Sequence, residues 1–281
     1  MPELPEVETV RLGLDRSMAG RRMIAVEQRC QRLRNILPPD FATRLTGSVV
    51  QRARRRGKYI LIDTRCSLTL LCHLGMTGSF SVAKGSRQAA VSEPPVRHEH
   101  IVFWMSGDQR IGYHDPRRFG MMDIAATSRV EFDRRLRDLG PEPLAPEFNA
   151  RYLHDRLRSR KSPVKSALMD QRLVAGLGNI YVSEALWRAG ISPRRRCNRI
   201  ALARVSGLVD AIRGTLDEAI AAGGSTLRDH QGVDGSLGTF QHRFNVYGKD
   251  RMECPRHGCG GKVVRVVQAG RSTFYCRACQ K

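Results

Sequence analysis

Both ends of this chain carry residues whose types and spacing could do chemistry. Near the C-terminus, Cys254-x4-Cys259 and Cys276-x2-Cys279 place four thiols in two short-spaced pairs. Pairs of this kind on tight turns can present four thiolates to one tetrahedral metal, with Zn–S at about 2.3 Å. A four-thiolate centre is closed, so one structural Zn2+ would hold a fold together and would not activate water. His257 follows Cys254 closely and is an alternative to Cys259, although the knuckle form Cys259-Gly260-Gly261 favours four cysteines. At the other end the chain reads Met1-Pro2-Glu3. Aminopeptidases remove Met1 before a small residue, and proline qualifies, which would leave Pro2 as a secondary amine. An α-amino group titrates at roughly 7.7–8.0, so about one in seven is neutral at pH 7, against one in a few thousand lysines. Such an amine is a usable nucleophile without special tuning. Attack on a sugar C1′ would give an iminium, and Glu3 beside it could protonate the ring oxygen or relay protons. The plainer reading of Pro2 and Pro5 is that they start a helix.

These residues need elements to hold them. Residues 5–20 read as a helix, with Val7, Val10 and Leu14 on one face and Gly20 as its stop. From about 22 to 125 the apolar period is two. Strands are expected at 58–63, 67–74, 100–106, 109–114 and 121–125, with a polar loop over Ala83–Arg97. The proline-rich stretch Leu139–Pro146 marks a boundary. Helices are then expected from Asn149 to Leu157, Ser166 to Ala175, Ile180 to Ala189, and along a long amphipathic run from Leu202 to Ile220. Val263–Val267 and Ser272–Tyr275 would form a β-ribbon between the cysteine pairs. The expected fold class is α+β. An N-terminal β-sandwich or barrel with a long N-terminal helix spans 1–138, a helix-two-turn-helix domain spans 139–244, and a zinc β-ribbon spans 245–281.

Composition limits the partners. Among 281 residues, 48 Lys plus Arg stand against 27 Asp plus Glu, a formal net charge of +21, with 41% hydrophobic residues. That is a foldable chain whose field attracts a polyanion, and nucleic acid is the first candidate. No apolar run approaches a membrane span, and the acidic, proline-containing start has no signal-peptide form. Cys30, Cys66, Cys72 and Cys197 read as reduced, buried or half-buried thiols of a cytosolic protein.

Several motifs then align in order. They are Pro2-Glu3-Leu4-Pro5-Glu6, Gly57-Lys58-Tyr59, His73-Leu74-Gly75-Met76-Thr77-Gly78 and Asp115-Pro116-Arg117-Arg118-Phe119-Gly120, then Gly176-Leu177-Gly178-Asn179-Ile180-Tyr181, Gly223-Gly224-Ser225-Thr226-Leu227-Arg228-Asp229 and Arg271-Ser272-Thr273-Phe274-Tyr275-Cys276. Together these strongly resemble bacterial formamidopyrimidine-DNA glycosylases (the Fpg/Nei family) along the whole chain. Leu4, where the sister endonuclease-VIII-like branch usually has Gly, places the chain on the purine-lesion side.

The resemblance implies roles. Pro2 would displace the damaged base and form a Schiff base with deoxyribose, Glu3 would donate the proton, and Lys58 would be a further general acid/base. Alone, Lys58 reads as a surface lysine. Arg271 would hold backbone phosphate near the lesion and, being a poor acid, act mainly as an electrostatic clamp. Met76, Arg117 and Phe119 match side chains that fill the gap left by the extruded nucleotide. His98, Arg117, Arg160, Lys165 and Asn179 match DNA contacts, Asn179 also serving as a plain helix cap. Arg54–Arg56 and Arg194–Arg196 read as solvated charge. His230 stands where an aromatic is common, in the loop at about 223–240 that covers the flipped base in relatives.

The expected function is a bifunctional DNA glycosylase/AP lyase of base-excision repair. It would remove 8-oxoguanine and formamidopyrimidines from double-stranded DNA in a basic cleft between the two parts of the chain and cut by β,δ-elimination. It would act as a monomer, cytoplasmic and nucleoid-associated in a bacterium, with no membrane partner. The alternatives are an oxidised-pyrimidine glycosylase of the sister branch and a non-catalytic, zinc-stabilised DNA-binding protein.

Overall fold

Helix α1 runs from Leu4 to Met18. Pro5 sits in its first turn, where a missing N–H costs nothing, and Leu4, Val7, Val10, Leu14 and Met18 turn one stripe inward. Glu3 is the N-cap in a reciprocal box: its side chain takes the Glu6 N–H, and its own N–H reaches Glu6 Oε2 at 2.8 Å. The computed structural model describes residues 1–87, 96–226 and 231–281, so positions 88–95 of the Ala83–Arg97 loop and His230 lie outside the described residues.

Among the described residues of the N-terminal part, eight strands follow α1. They are β1 (Met23–Gln28), β2 (Val50–Arg56), β3 (Tyr59–Thr64), β4 (Leu68–His73), β5 (Ser79–Lys84), β6 (Glu99–Met105), β7 (Gln109–His114) and β8 (Met121–Ala126). They form two antiparallel four-stranded sheets, ordered β1-β6-β7-β5 and β2-β3-β4-β8. The short helix α2 (Phe41–Leu45) lies between β1 and β2. Inward residues of both sheets, such as Phe103, Ile111, Ile60 and Leu70, join α1 in one apolar core. A sandwich of this kind buries the β-branched and aromatic alternation read from the sequence. Strand β2 escaped that reading because of its charges. Arg54 pairs with Asp63 at 2.8 Å and with Glu131 at 2.8 Å, and Arg55 pairs with Glu8 at 3.0 Å. These arginines are ion-paired strand residues, not merely solvated charge. Cys66 is likewise exposed, not buried.

The described residues divide into two compact units, 1–137 with 222–239, and 138–221 with 240–281. The described residues of 222–239 therefore pack with the sandwich, although they fall inside the span 139–244 read as helical. The reason is a set of long-range bonds. Ser225 donates through N–H (2.8 Å) and Oγ (2.9 Å) to Glu6 Oε1, and Val82 N–H reaches Val233 O at 2.8 Å. Gly13 leaves the room, since a Cβ there would stand 2.4 Å from Val233 Cγ2.

In the second unit, α3 (Ala150–Leu157) is capped by Asn149, whose Oδ1 accepts the Tyr152 N–H at 3.0 Å. Helix α4 covers only Val164–Leu168, shorter than the expected Ser166–Ala175. Two polar side chains there replace helical bonds. Asp170 takes the Arg172 N–H, while Gln171 accepts from Gly176 N–H and donates to Leu177 O. Helix α5 (Asn179–Arg188) follows this turn, and α6 (Leu202–Ala221) packs against it. The hairpin β9 (Val263–Gln268) and β10 (Arg271–Cys276) completes the chain as the expected ribbon.

Candidate active site and metal centre

In the first unit, Pro2 and Glu3 are buried at the start of α1. Glu6 ties this start to Ser225 while one of its oxygens holds the Glu3 N–H. Lys58 follows Gly57, whose φ of +56° makes the tight turn from β2 to β3. It is only 7% exposed, so the surface-lysine reading fails. Its charge is felt at His73. Burial first, then Lys58 and Arg34, bring that imidazole down to about 4, so it is neutral at physiological pH. Gly75 N–H donates to His73 Nδ1 at 3.0 Å, which leaves the proton on Nε2, and Tyr59 packs edge-on against the ring at 4.8 Å.

Met76 and Phe119 are each 44% exposed on adjoining loops, an unusual position for large apolar side chains with an apolar core available. The Arg117 guanidinium lies over the Phe119 ring, 4.4 Å from its centroid. His98 sits nearby in the chain of contacts, its carbonyl accepting the Asp115 N–H at 3.0 Å.

In the second unit the ribbon carries Arg271, exposed at the start of β10. Its neighbour Ser272 is a junction. The Ser272 carbonyl accepts Lys165 Nζ at 3.1 Å and Asn179 Nδ2 at 3.0 Å, and Lys165 Nζ also donates to Thr273 Oγ1 at 2.6 Å. Lys165 is 1% exposed, so its charge is placed against the strand that bears Arg271. Asn179 is the first residue of α5 behind the N-cap Gly178, and its buried Oδ1 has no hydrogen-bond partner among the described residues, so its side chain is not the helix cap expected from sequence. Arg160 stands apart, paired with Asp170 at 3.0 Å.

From sequence alone, Glu184, Glu6 and Asp115 carry no assigned role. Glu184 is fully buried, and its carboxylate accepts Asn245 N–H and Nδ2, Val246 N–H and Tyr247 N–H at 2.8–3.0 Å. That orders the segment whose Tyr247 ring packs on Phe274 of the ribbon. The available signal was an acid inside the apolar run Ile180–Leu186, a placement that demands donors.

The thiol sulfurs of Cys254, Cys259, Cys276 and Cys279 lie within 4.8 Å of one another, with 3.7 Å from Cys254 to Cys279 and 3.6 Å from Cys259 to Cys276. A tetrahedron with metal–sulfur bonds of about 2.3 Å requires sulfur–sulfur edges of roughly 3.8 Å, so these four side chains fit zinc. His257 is not in the cluster. Trp187 Nε1 donates to Cys254 Sγ at 3.3 Å, an outer contact of the kind that orients a ligand. Gly261 keeps the centre open to the sulfurs, because a Cβ there would stand 2.9 Å from Cys276 Sγ.

A two-layered sandwich, a helix–turn–helix pair and a four-cysteine ribbon define a zinc-stabilised, strongly basic protein of three sequence segments. Three family models match them: the formamidopyrimidine-DNA glycosylase N-terminal domain over residues 1–122, its H2TH domain over 139–231, and a zinc finger found in FPG and IleRS over 253–281. The chain belongs to the formamidopyrimidine-DNA glycosylase family. It is 52% identical to the formamidopyrimidine-DNA glycosylase of Ruegeria pomeroyi and 51% identical to that of Cereibacter sphaeroides, over the full length of both chains in each case. Among solved structures it is similar to the Lactococcus lactis Fpg in complex with abasic-site DNA (34% identity, TM-score 0.88, 99% of each chain). It is also similar to the wild-type form of that protein in complex with DNA containing N7-benzyl-Fapy-dG (35%, TM-score 0.88, 100% of each chain).

Proposed function

We propose that this protein is a bifunctional DNA glycosylase/AP lyase of base-excision repair that removes oxidised purines from duplex DNA. The observation that carries the reading is the N-terminus. Pro2 and Glu3 are buried at the head of α1 and held by the Glu3–Glu6 box, which reaches Ser225. Once Met1 is removed, the Pro2 nitrogen attacks C1′ and the bond from C1′ to the damaged base breaks. Glu3 protonates the ring oxygen, the sugar opens, and an iminium joins Pro2 to C1′. The iminium draws electrons from C2′, so loss of a 2′ proton expels the 3′ phosphate, and a second elimination releases the 5′ phosphate. Lys58, buried at the turn from β2 to β3, exchanges protons in these steps. Arg271 holds a backbone phosphate, and Lys165 acts through the Ser272 and Thr273 strand that presents it. His98, Arg117, Arg160 and Asn179 bind the DNA, and Met76, Arg117 and Phe119 enter the space of the extruded base. The zinc of Cys254, Cys259, Cys276 and Cys279 is structural.

The division into 1–138, 139–244 and 245–281 is the functional one we propose, each segment contributing one of these parts. No described helix is long and apolar enough to cross a membrane, and DNA as the substrate supports action in the cytoplasm.

Borohydride with an 8-oxoguanine duplex should trap a covalent adduct whose crosslink maps by mass spectrometry to Pro2. Pro2→Gly, or a form that retains Met1, should lose trapping by at least about 100-fold. A crosslink on another side chain would overturn the proposal.

A further inference from the structure

We infer that Asp115 and Thr77 form a latch that holds Met76, Arg117 and Phe119 as one preset wedge, an inference that rests on reading those three as the groups filling the vacated base position. The Met76 loop crosses from β4 to β5, and the loop of Arg117 and Phe119 crosses from β7 to β8. Strand pairing ties their bases, His73 with Met121 on one side and Ser79 with His114 on the other. Met76, Arg117 and Phe119 lie beyond those pairs, so something further must join the tips.

Asp115 does so from the inside. It is 0% exposed, and its carboxylate accepts Thr77 Oγ1 at 2.5 Å, Gly120 N–H at 2.7 Å and the Tyr113 hydroxyl at 3.4 Å. Its carbonyl takes His100 Nε2 at 2.9 Å and Arg118 N–H at 3.1 Å, and its N–H donates to His98 O. The bond network continues outward, because Thr77 Oγ1 also accepts the Arg117 N–H at 3.3 Å. One hydroxyl thus bridges the Met76 loop to the backbone of Arg117, and bonds in such a chain reinforce one another.

The backbones themselves are in contact. Gly75 has φ +65°, and a Cβ there would stand 2.3 Å from the Phe119 carbonyl carbon, while one on Gly120 would meet the Tyr113 hydroxyl at 1.8 Å. Neutral His73 pins the Gly75 N–H from the other side. Arg118, at φ +53°, turns the chain so that Arg117 and Phe119 project from the same tip. Asp115 is too enclosed to touch DNA. A buried carboxylate surrounded by donors is instead suited to over-determining a strained loop. The benefit is preorganisation: side chains that must enter a base stack do so faster when their loops are ordered beforehand.

The test measures lesion extrusion by stopped-flow fluorescence of 2-aminopurine placed beside 8-oxoguanine, alongside strand cutting at a ready-made abasic site, which has no base to expel. Thr77→Val should slow extrusion about 10-fold and Asp115→Asn about 100-fold, whereas Thr77→Ser should stay within about twofold of the parent. Thr77→Val should cut the abasic site within about twofold of the parent rate. Circular-dichroism melts identify any variant that fails to fold, and Thr77→Val, a shape-preserving change, carries the test if Asp115→Asn does not fold. Met76→Ala and Phe119→Ala are the controls for the underlying reading. If they slow extrusion while Thr77→Val and Asp115→Asn leave it at the parent rate, the latch is wrong. Equal slowing of both assays by Thr77→Val also overturns it, as general structural damage. If the two alanine controls leave extrusion unchanged, the wedge reading itself fails.

Discussion

The sandwich and the zinc ribbon both present a few exposed functional residues, but they hold them by different means. In the sandwich, every residue of β6 is buried and both sheets share one apolar core with α1. The ribbon has little to bury. In β9 only Val263 is buried, and in β10 only Thr273, Tyr275 and Cys276. Four sulfurs, the Lys165 ammonium, the Asn179 amide and the Gln280 side chain bonded to Cys276 N–H (2.8 Å) hold what the sandwich holds with hydrocarbon. A two-stranded hairpin is marginal in water, so its placement of Arg271 depends on coordination and point contacts. The larger region tolerates wear at its surface, whereas the smaller one concentrates its stability in a few atoms.

Zinc removal should separate the two regions most sharply. Structural zinc contributes about 10–16 kcal/mol in small modules. Chelation, or Cys279→Ser, should melt the ribbon and abolish DNA cutting by at least about 100-fold, while the sandwich keeps its far-ultraviolet signature. Metal analysis with circular dichroism checks this, and coincident loss of both regions would break the contrast. Next is Glu184→Ala, which strands four donors and should cost about 4 kcal/mol. Denaturant unfolding should locate that loss in the second unit. Leu70→Ala in the sandwich core should cost about 3 kcal/mol and leave zinc content and cutting at low temperature unchanged.

The smallest effect is set by pH. Folded His73 protonates only near 4, whereas the unfolded side chain does so near the usual 6.5. Between those values the unfolded chain holds more protons, so the stability gained from neutral His73 is present at pH 7 and is lost as the pH falls. From pH 7 to 5 the loss should be about 2 kcal/mol, and His73→Asn should flatten that part of the profile. An unchanged slope in that variant would place the sensitivity elsewhere.

Reading from sequence worked where residue type and spacing act locally. The period-two runs located β3, β4, β6, β7 and β8, Asn149 marked the start of α3, and the cysteine pairs marked the metal centre. It failed where a side chain's partner is distant. Strand β2 looked like free charge because Asp63, Glu131 and Glu8 lie elsewhere in the chain. The helix through Ala175 looked continuous because nothing local says that Gln171 will bond across the turn to Gly176 and Leu177. Lys58 looked exposed because its burial follows from sheet packing, not from its basic neighbours.

What the sequence determined by itself is therefore the chemistry available: an amine beside a carboxylate at one end, four thiols at the other, and a surplus of arginine between them. Folding decided which of those groups are buried, paired or presented. Glu6 meets Ser225, Asp115 meets Thr77, and Glu184 gathers four donors from residues 245–247. The physical reason is that covalent spacing sets a group's identity and local conformation, whereas burial and hydrogen-bond partners depend on segments that come together only when the core closes.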